Sequence, residues 1–241
     1  MESQIIITEL RGLKLAGMAA EFERQCSDPS VGSLPIEQRI GMMVTHEMAA
    51  RRGKRILGLL KNAHLKQPQA ALSSIDYTGN RGLDRATIAS LGSCEYIRQG
   101  LGILIVGATG TGKTFLSCAF GSEACTRTFT VQYWRTPLLL ETLKGSHISG
   151  AFSKLIFSLG KLDLLILDDF GMCQYTDEQQ HDLLEVIDQR AGKSIIVASQ
   201  VPAVKWLDCF FNKTIGDAIL DRLIHQAYQV TLTGPSVRGR K

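Results

Sequence analysis

The 241 residues, 44% of them apolar, are enough for one full domain and a smaller piece around a packed core. The six cysteines form no CxxC pair and no secretory leader is found, so we expect reduced thiols in a cytoplasmic protein rather than a disulfide or zinc framework. No apolar run approaches the roughly 18 residues of a membrane span, and the net charge of +4 is too small to identify a partner.

Residues 1 to about 75 are predicted to form a small helical domain. Apolar side chains recur there at near-helical spacing at Leu10, Leu13, Leu15, Met18 and Phe22. Pro35 is well placed to begin a second helix over roughly residues 36–64. Its three glycines, Gly41, Gly53 and Gly58, each cost about 1 kcal/mol relative to alanine in a helix interior, so the pattern leaves the continuity of this helix open.

The second predicted helix carries a run of cations. No acidic residue occurs between Met48 and Ile75, and six basic side chains share sixteen positions: Arg51, Arg52, Lys54, Arg55, Lys61 and Lys66. On a helix they occupy about half of the circumference, and apolar positions occupy the other half. We predict that these cations contact the phosphates of DNA, with a solvated basic face that binds nothing as the alternative.

A phosphate-binding loop lies in the stretch LGILIVGATGTGKTF. It fits the pattern GxxxxGK[ST] without exception, after an apolar run typical of a buried strand and before a segment with helical spacing. Glycines let the backbone N–H groups converge on a polyphosphate, the lysine reaches the terminal phosphates, and the threonine hydroxyl binds Mg²⁺. The residues predicted to contact ATP are Gly107, Ala108, Thr109, Gly110, Thr111, Gly112, Lys113, Thr114 and Phe115.

Two acidic residues end the apolar run of LDLLILDDFG. A buried strand of this kind delivers its carboxylates to the edge of an open α/β sheet where ligands bind. We predict that Asp168 binds Mg²⁺ together with Thr114, and that Asp169 polarises the attacking water. The later strand SIIVA ends in Ser199 and Gln200, which it delivers to the same edge.

The remaining elements alternate between helices and strands. Helices are predicted over residues 84–96, 115–126, 137–143, 152–159, 177–190 and 217–226. Strands are predicted over residues 103–106, 129–134, 162–168, 194–198 and 228–232.

Several motifs together resemble the AAA+ ATPases of the IstB-like group. The phosphate loop, LLILDDFG, ASQVP, AILDRLIH and GPSVR carry the resemblance, and LRGLKLAGM, RRGKRILGLLKNAHL and RGLD resemble the helical domain of the same group. These proteins are ATP-dependent helpers of bacterial insertion-sequence transposition, related to the loaders of replicative helicases. The similarity covers nearly the whole chain.

The resemblance implies an α/β fold of the AAA+ P-loop NTPase type, with a five-stranded parallel sheet between helices and a small helical domain before it. Residues 1–75 would bind DNA or a partner, and residues 76–241 would form an ATPase domain without the full C-terminal lid. The resemblance also implies a homo-oligomer with ATP at the subunit interfaces. In it, Gln200 would sense the γ-phosphate, Arg222 would act on a neighbour's ATP, and Arg238 would be a second sensor.

Two residues depart from the AAA+ pattern. Asp169 stands where glutamate is usual and Gln200 where asparagine is common, so ATP binding is expected to survive while the hydrolysis rate is open.

The resulting hypothesis is an ATPase that oligomerises on duplex DNA and recruits or activates a transposase. The alternatives are a replicative-helicase loader, a small-molecule kinase, and a DNA-binding module gated by ATP binding with negligible hydrolysis.

Overall fold

The computed structural model describes residues 2–77 and 81–236. Backbone contacts divide the chain into two compact units between Gly58 and Leu59. This division lies before the predicted boundary near residue 75, because Ala63, Leu65 and Ala70 belong to the hydrophobic core that also contains the sheet. The assignment of residues 1–75 to DNA or partner binding stays a prediction.

The first unit is helical, as predicted. Its helices are α1 (Glu2–Gly12), α2 (Ala16–Ser27) and α3 (Ile36–Asn62), and α3 continues past the division. Gly17 in the LRGLKLAGM stretch is required by a close approach, since a Cβ there would stand 2.7 Å from the Cα of Glu47. The Glu47 carboxylate accepts hydrogen bonds from the N–H groups of Gly17 (2.7 Å) and Met18 (3.1 Å), which satisfies the start of α2.

Helix α3 is unbroken over its length despite its three glycines. It ends at Asn62, and His64 then adopts a left-handed backbone conformation with φ of 50°. The prediction that Lys66 shares the basic face of this helix was therefore wrong, because Lys66 lies beyond the helix end.

The second unit contains a five-stranded sheet in which every neighbouring pair is parallel. Its strands are β1 (Gly102–Gly107), β2 (Val131–Arg135), β3 (Leu164–Asp168), β4 (Ser194–Ser199) and β5 (Ala227–Leu232). They are arranged in the order β2-β3-β4-β1-β5. The predicted five-stranded α/β architecture is confirmed.

Seven helices accompany the sheet among the described residues. They are α4 (Arg85–Gly92), α5 (Glu95–Arg98), α6 (Lys113–Thr126), α7 (Thr136–Ile148), α8 (Phe152–Gly160), α9 (Asp177–Asp188) and α10 (Lys213–Ile224). The single helix predicted over residues 84–96 was wrong, because Cys94 adopts φ of 60° and separates α4 from α5.

Both faces of the sheet are covered. Alternate side chains of the strands point to opposite faces, so Ile103 and Ile105 join one core cluster with Phe120 of α6. Leu104 joins the other cluster with Leu183 of α9. All five of these side chains are buried, and this packing fixes the strand ends that form the site described below.

Within residues 2–77 and 81–236, no helix is long and apolar enough to cross a membrane.

Candidate nucleotide-binding site

The phosphate loop connects the end of β1 to the start of α6. Gly110 and Gly112 have φ of 79° and 99°, a left-handed backbone conformation that favours glycine. Gly107 is required for a different reason, since a Cβ there would press against the Leu232 carbonyl of β5. Lys113 is buried at the first position of α6, and its Nζ donates to the Ala108 carbonyl at 2.9 Å across the loop. The loop has the strand, turn and helix that its sequence pattern predicts.

A cavity of about 580 Å³ opens beside this loop. The phosphate loop contributes Thr109, Gly110, Gly112, Lys113, Thr114 and Phe115 to its wall. Asp169 and Gln200 line the same cavity, so the ends of β3 and β4 lie where the sequence predicted. Lys66, Asp76, Arg81 and Leu83 form part of the remaining wall.

Thr114 and Asp168, the two residues predicted to bind Mg²⁺, are in direct contact. The Thr114 hydroxyl donates to Oδ2 of Asp168 at 2.7 Å, and the aspartate is 1% exposed. A hydroxyl and a carboxylate are hard oxygen ligands of the kind that Mg²⁺ takes together with substrate phosphates and water. The two groups fit Mg²⁺ at the position where the phosphate loop meets the end of β3.

Tyr133 is a contact of this pair that the sequence did not reveal. Its hydroxyl donates to the same Asp168 Oδ2 at 2.7 Å, from the neighbouring strand β2. Burial, reinforced by the hydrogen bond to Asp168, holds the pKa of this phenol far above its ordinary value, so it remains a proton donor. The tyrosine in FTVQYW suggested only a strand residue, because its contact depends on how β2 pairs with β3.

Asp169 adopts an unusual backbone conformation, with φ of 59° directly after β3. Aspartate tolerates this region better than most residues, and such outliers cluster at functional sites. Its Oδ2 is 2.8 Å from Nε of Arg135 at the end of β2. Asp169 thus lines the cavity while its carboxylate is paired with Arg135, a residue to which the sequence assigned no role.

Gln200 lines the cavity directly after the end of β4. Its Nε2 is 3.0 Å from Sδ of Met172, in the loop that follows Asp168 and Asp169. The preceding Ser199 hydroxyl donates to the Phe170 carbonyl at 2.6 Å, which joins the ends of β3 and β4. Gln200 and its neighbour Ser199 are therefore hydrogen-bonded to the segment that follows β3.

Arg222 is not among the residues that line the nucleotide cavity. It is in the last turn of α10, just before the start of β5, and that start pairs with Gly102 at the opposite end of β1 from the phosphate loop. Its Nε is 2.9 Å from Asp188 Oδ1 of α9, and the side chain is 45% exposed. The buried side chains on the same helix include those of Ile219, Leu220 and Leu223. The predicted second sensor, Arg238, lies outside the described residues.

The predicted DNA-contacting cations do not form one uniform set. Arg51 was predicted to be unopposed, but its Nε is 2.6 Å from Glu47 one turn earlier, and this pair lowers the pKa of Glu47. Arg52, Lys54 and Lys61 are exposed, and none of the three has an ion pair within the described part of the chain. Arg55 is also exposed, whereas Lys66 lines the nucleotide cavity.

Comparisons with solved structures identify the fold. The DnaC helicase loader matches with a TM-score of 0.59 and 19% identity, over 68% of this chain and 97% of that one. DnaI matches with a TM-score of 0.61 and 19% identity, over 73% and 94%. The replication initiator DnaA, solved with AMPPCP and single-stranded DNA, matches with a TM-score of 0.60 and 22% identity, over 71% and 52%. At these identities the likeness shows the fold alone.

Sequence comparisons are more specific. The chain is 42% identical to the ATP-binding protein of insertion sequence IS1162 from Pseudomonas fluorescens, over 84% of this chain and 88% of that protein. It is 35% identical to an insertion-sequence ATP-binding protein of Sinorhizobium fredii, over 96% and 95%. The family model of the IstB-like ATP binding protein matches residues 8–241. The protein therefore belongs to the IstB-like ATP-binding family.

Proposed function

We propose that this protein is an ATPase that helps bacterial transposition by oligomerising on duplex DNA and recruiting or activating a transposase. ATP hydrolysis is the switch that ends the assembled state. The observation that carries the proposal is the cavity where the phosphate loop, the Thr114–Asp168 pair, Asp169 and Gln200 converge. The names of its relatives, which are ATP-binding proteins of insertion sequences, supply the biological setting.

In this proposal the chain's own residues divide the work of hydrolysis. Lys113 and the loop N–H groups hold the triphosphate, and Thr114 with Asp168 holds Mg²⁺, which when bound neutralises charge on the phosphate oxygens. Asp169 orients the attacking water and accepts its proton, while Gln200 contacts the γ-phosphate. The products are ADP and inorganic phosphate.

Arg222 completes the site of a neighbouring subunit. It lies at the far end of β1 from its own phosphate loop, so a contact in trans uses its position better than a contact within one subunit. A guanidinium delivered to the γ-phosphate stabilises the charge that spreads over its oxygens during transfer. Hydrolysis thereby depends on assembly.

The DNA-binding part of the proposal rests on Arg52, Lys54, Arg55 and Lys61 of α3, which are exposed and share one helix. Phosphate contacts by such side chains give affinity with little sequence preference.

A pull-down tests the partner. Tagged protein with ATP and duplex DNA is incubated with the transposase of an insertion sequence or with a replicative helicase, and Lys113→Ala protein serves as the ATP-blind control. We expect ATP-dependent capture of the transposase. Capture of the helicase alone would favour the loader function, which the DnaC and DnaI folds alone do not establish.

The two remaining alternatives are separated by ATP turnover. Stimulation of turnover by a metabolite rather than by DNA would favour a kinase. Assembly with no measurable turnover would favour a module gated by ATP binding alone.

A further inference from the structure

The RGLD stretch, residues 81–84, has no part in the function proposed above, yet it lies against the nucleotide cavity. The Arg81 carbonyl accepts a hydrogen bond from the N–H of Thr233 at 3.0 Å, just after β5. Gly82 has φ of 70°, and a Cβ there would press against the Thr231 carbonyl, so glycine is required. Asp84 begins α4 by accepting from the Thr87 N–H at 2.7 Å. These contacts fix the backbone at Arg81 and over the three residues that follow it.

The Arg81 guanidinium joins two segments of the cavity wall. One terminal nitrogen donates to the Thr111 carbonyl in the phosphate loop at 2.8 Å, and the other donates to the Asp76 carbonyl at 3.0 Å. It also lies against Gly112, where a Cβ would stand 3.1 Å from the same nitrogen that contacts Thr111. Arg81 is therefore bonded to the loop at the peptide that precedes α6.

This contact controls the direction of one loop N–H group. The carbonyl of Thr111 and the N–H of Gly112 belong to the same planar trans peptide, so they point in opposite directions. Because Arg81 donates to the Thr111 carbonyl, the Gly112 N–H of the same peptide points away from Arg81. The left-handed Gly110 and Gly112 leave this peptide otherwise easy to rotate.

We propose that Arg81 is a positioning residue for nucleotide binding, which fixes the Thr111–Gly112 peptide so that the phosphate loop is ready before the polyphosphate arrives. The inference rests on the nucleotide site of the proposed function and on none of its DNA or transposase parts. Its ligand is the polyphosphate portion of the nucleotide rather than the base.

The test compares Arg81→Ala and Arg81→Lys with Arg98→Ala, an exposed arginine that pairs with Glu95 at 2.9 Å. ATP and inorganic tripolyphosphate each compete against a fluorescent ATP analogue. We expect Arg81→Ala to weaken both competitors by the same factor, about tenfold, as for a lost charge-assisted hydrogen bond. Arg81→Lys should recover part of this loss because one ammonium cannot reproduce the two bonds of the guanidinium. Arg98→Ala should behave as wild type.

Hydrogen exchange without nucleotide gives a second readout. In Arg81→Ala the amides of residues 108–114 should exchange faster, by about tenfold, while those of α9 remain unchanged. Faster exchange throughout the chain would mean a general structural role and would overturn the proposal.

Two binding results would also overturn it. One is unchanged affinity for both competitors in Arg81→Ala. The other is a loss for ATP with none for tripolyphosphate, which would place the action of Arg81 on the nucleoside. A wild-type protein that binds neither ligand would overturn the nucleotide site of the proposed function and this proposal with it.

Discussion

Lys113 and the cations of α3 present positive charge to phosphates in opposite ways. Lys113 is buried, and its Nζ donates to the Ala108 carbonyl across the phosphate loop. Arg52 and Lys54 are exposed on a helix surface. The first arrangement holds one polyphosphate in one orientation, whereas the second attracts any polyanion. The specificity of the proposed function therefore lies in the nucleotide site, and its DNA affinity depends mainly on charge.

Lys113→Ala is the strongest test of the nucleotide site. Removing the ammonium should weaken ATP binding by about a hundredfold and abolish every ATP-dependent property, because the charge aimed at the terminal phosphates is lost. Isothermal titration with ATP measures the change. Lys161→Ala, which removes a lysine stacked on Phe157, is the matched control. Unchanged ATP affinity in Lys113→Ala would contradict the phosphate-loop assignment.

Arg222→Ala should lower hydrolysis by a factor of about 10³ to 10⁵ while leaving ATP binding intact, because the guanidinium acts only on a neighbour's transferring phosphate. Mixing Arg222→Ala with Lys113→Ala should restore part of the activity, since some interfaces then pair an intact loop with an intact arginine. The control is His225→Ala, which changes an exposed residue three positions after Arg222. A wild-type rate for Arg222→Ala in the presence of DNA would remove its catalytic role.

Asp169→Asn should reduce hydrolysis by about 10² to 10⁴ with ATP binding retained, because an amide cannot accept the proton of the attacking water. Single-turnover measurements with radiolabelled ATP separate the chemical step from binding. If the rate is unaffected, the proposed base is wrong and the shorter aspartate is only a partner of Arg135.

The salt dependence of DNA affinity tests the role of the cations of α3. With four phosphate contacts from Arg52, Lys54, Arg55 and Lys61, the log–log slope of DNA affinity against salt concentration should be near −3.6. DNA affinity should then fall about 150-fold between 50 and 200 mM salt. Reversing Arg52 and Lys54 to glutamate should flatten the slope to about −1.8. The same charge change at Arg98 and Lys161 is the control, and an equal flattening there would exclude a specific role for α3.

The smallest expected effect is that of Tyr133→Phe. Losing the hydroxyl that donates to Asp168 should raise the Mg²⁺ concentration needed for half-maximal turnover by about tenfold, as for other groups that orient a metal ligand. Tyr96→Phe is the matched control, because its buried hydroxyl has no hydrogen-bond partner within the described residues. Equal Mg²⁺ requirements in the two variants would show that Tyr133 has only a packing role.

The predicted site residues that the structure brings together are those whose positions follow from the chain nearby. Lys113, Thr114, Asp168 and Gln200 each lie at the end of a strand or the start of a helix, and parallel strands bring such ends to one edge.

Residues whose roles depend on contacts between distant segments were missed. Tyr133 and Arg135 reach the acidic residues of β3 only through the pairing of β2 with β3. Arg81 reaches the loop from thirty positions earlier. Lys66 was placed on a helix because sequence periodicity does not mark where the backbone turns, and here it turns at His64.

In the proposed function, ATP drives assembly on DNA. The oligomeric mass, measured by light scattering with and without ATP and duplex DNA, tests this directly. We expect wild-type protein to form large oligomers when ATP and DNA are both present. ADP should not support them, and Lys113→Ala should stay small under every condition. Oligomers of the same mass in the wild type and in Lys113→Ala, with or without ATP, would contradict it.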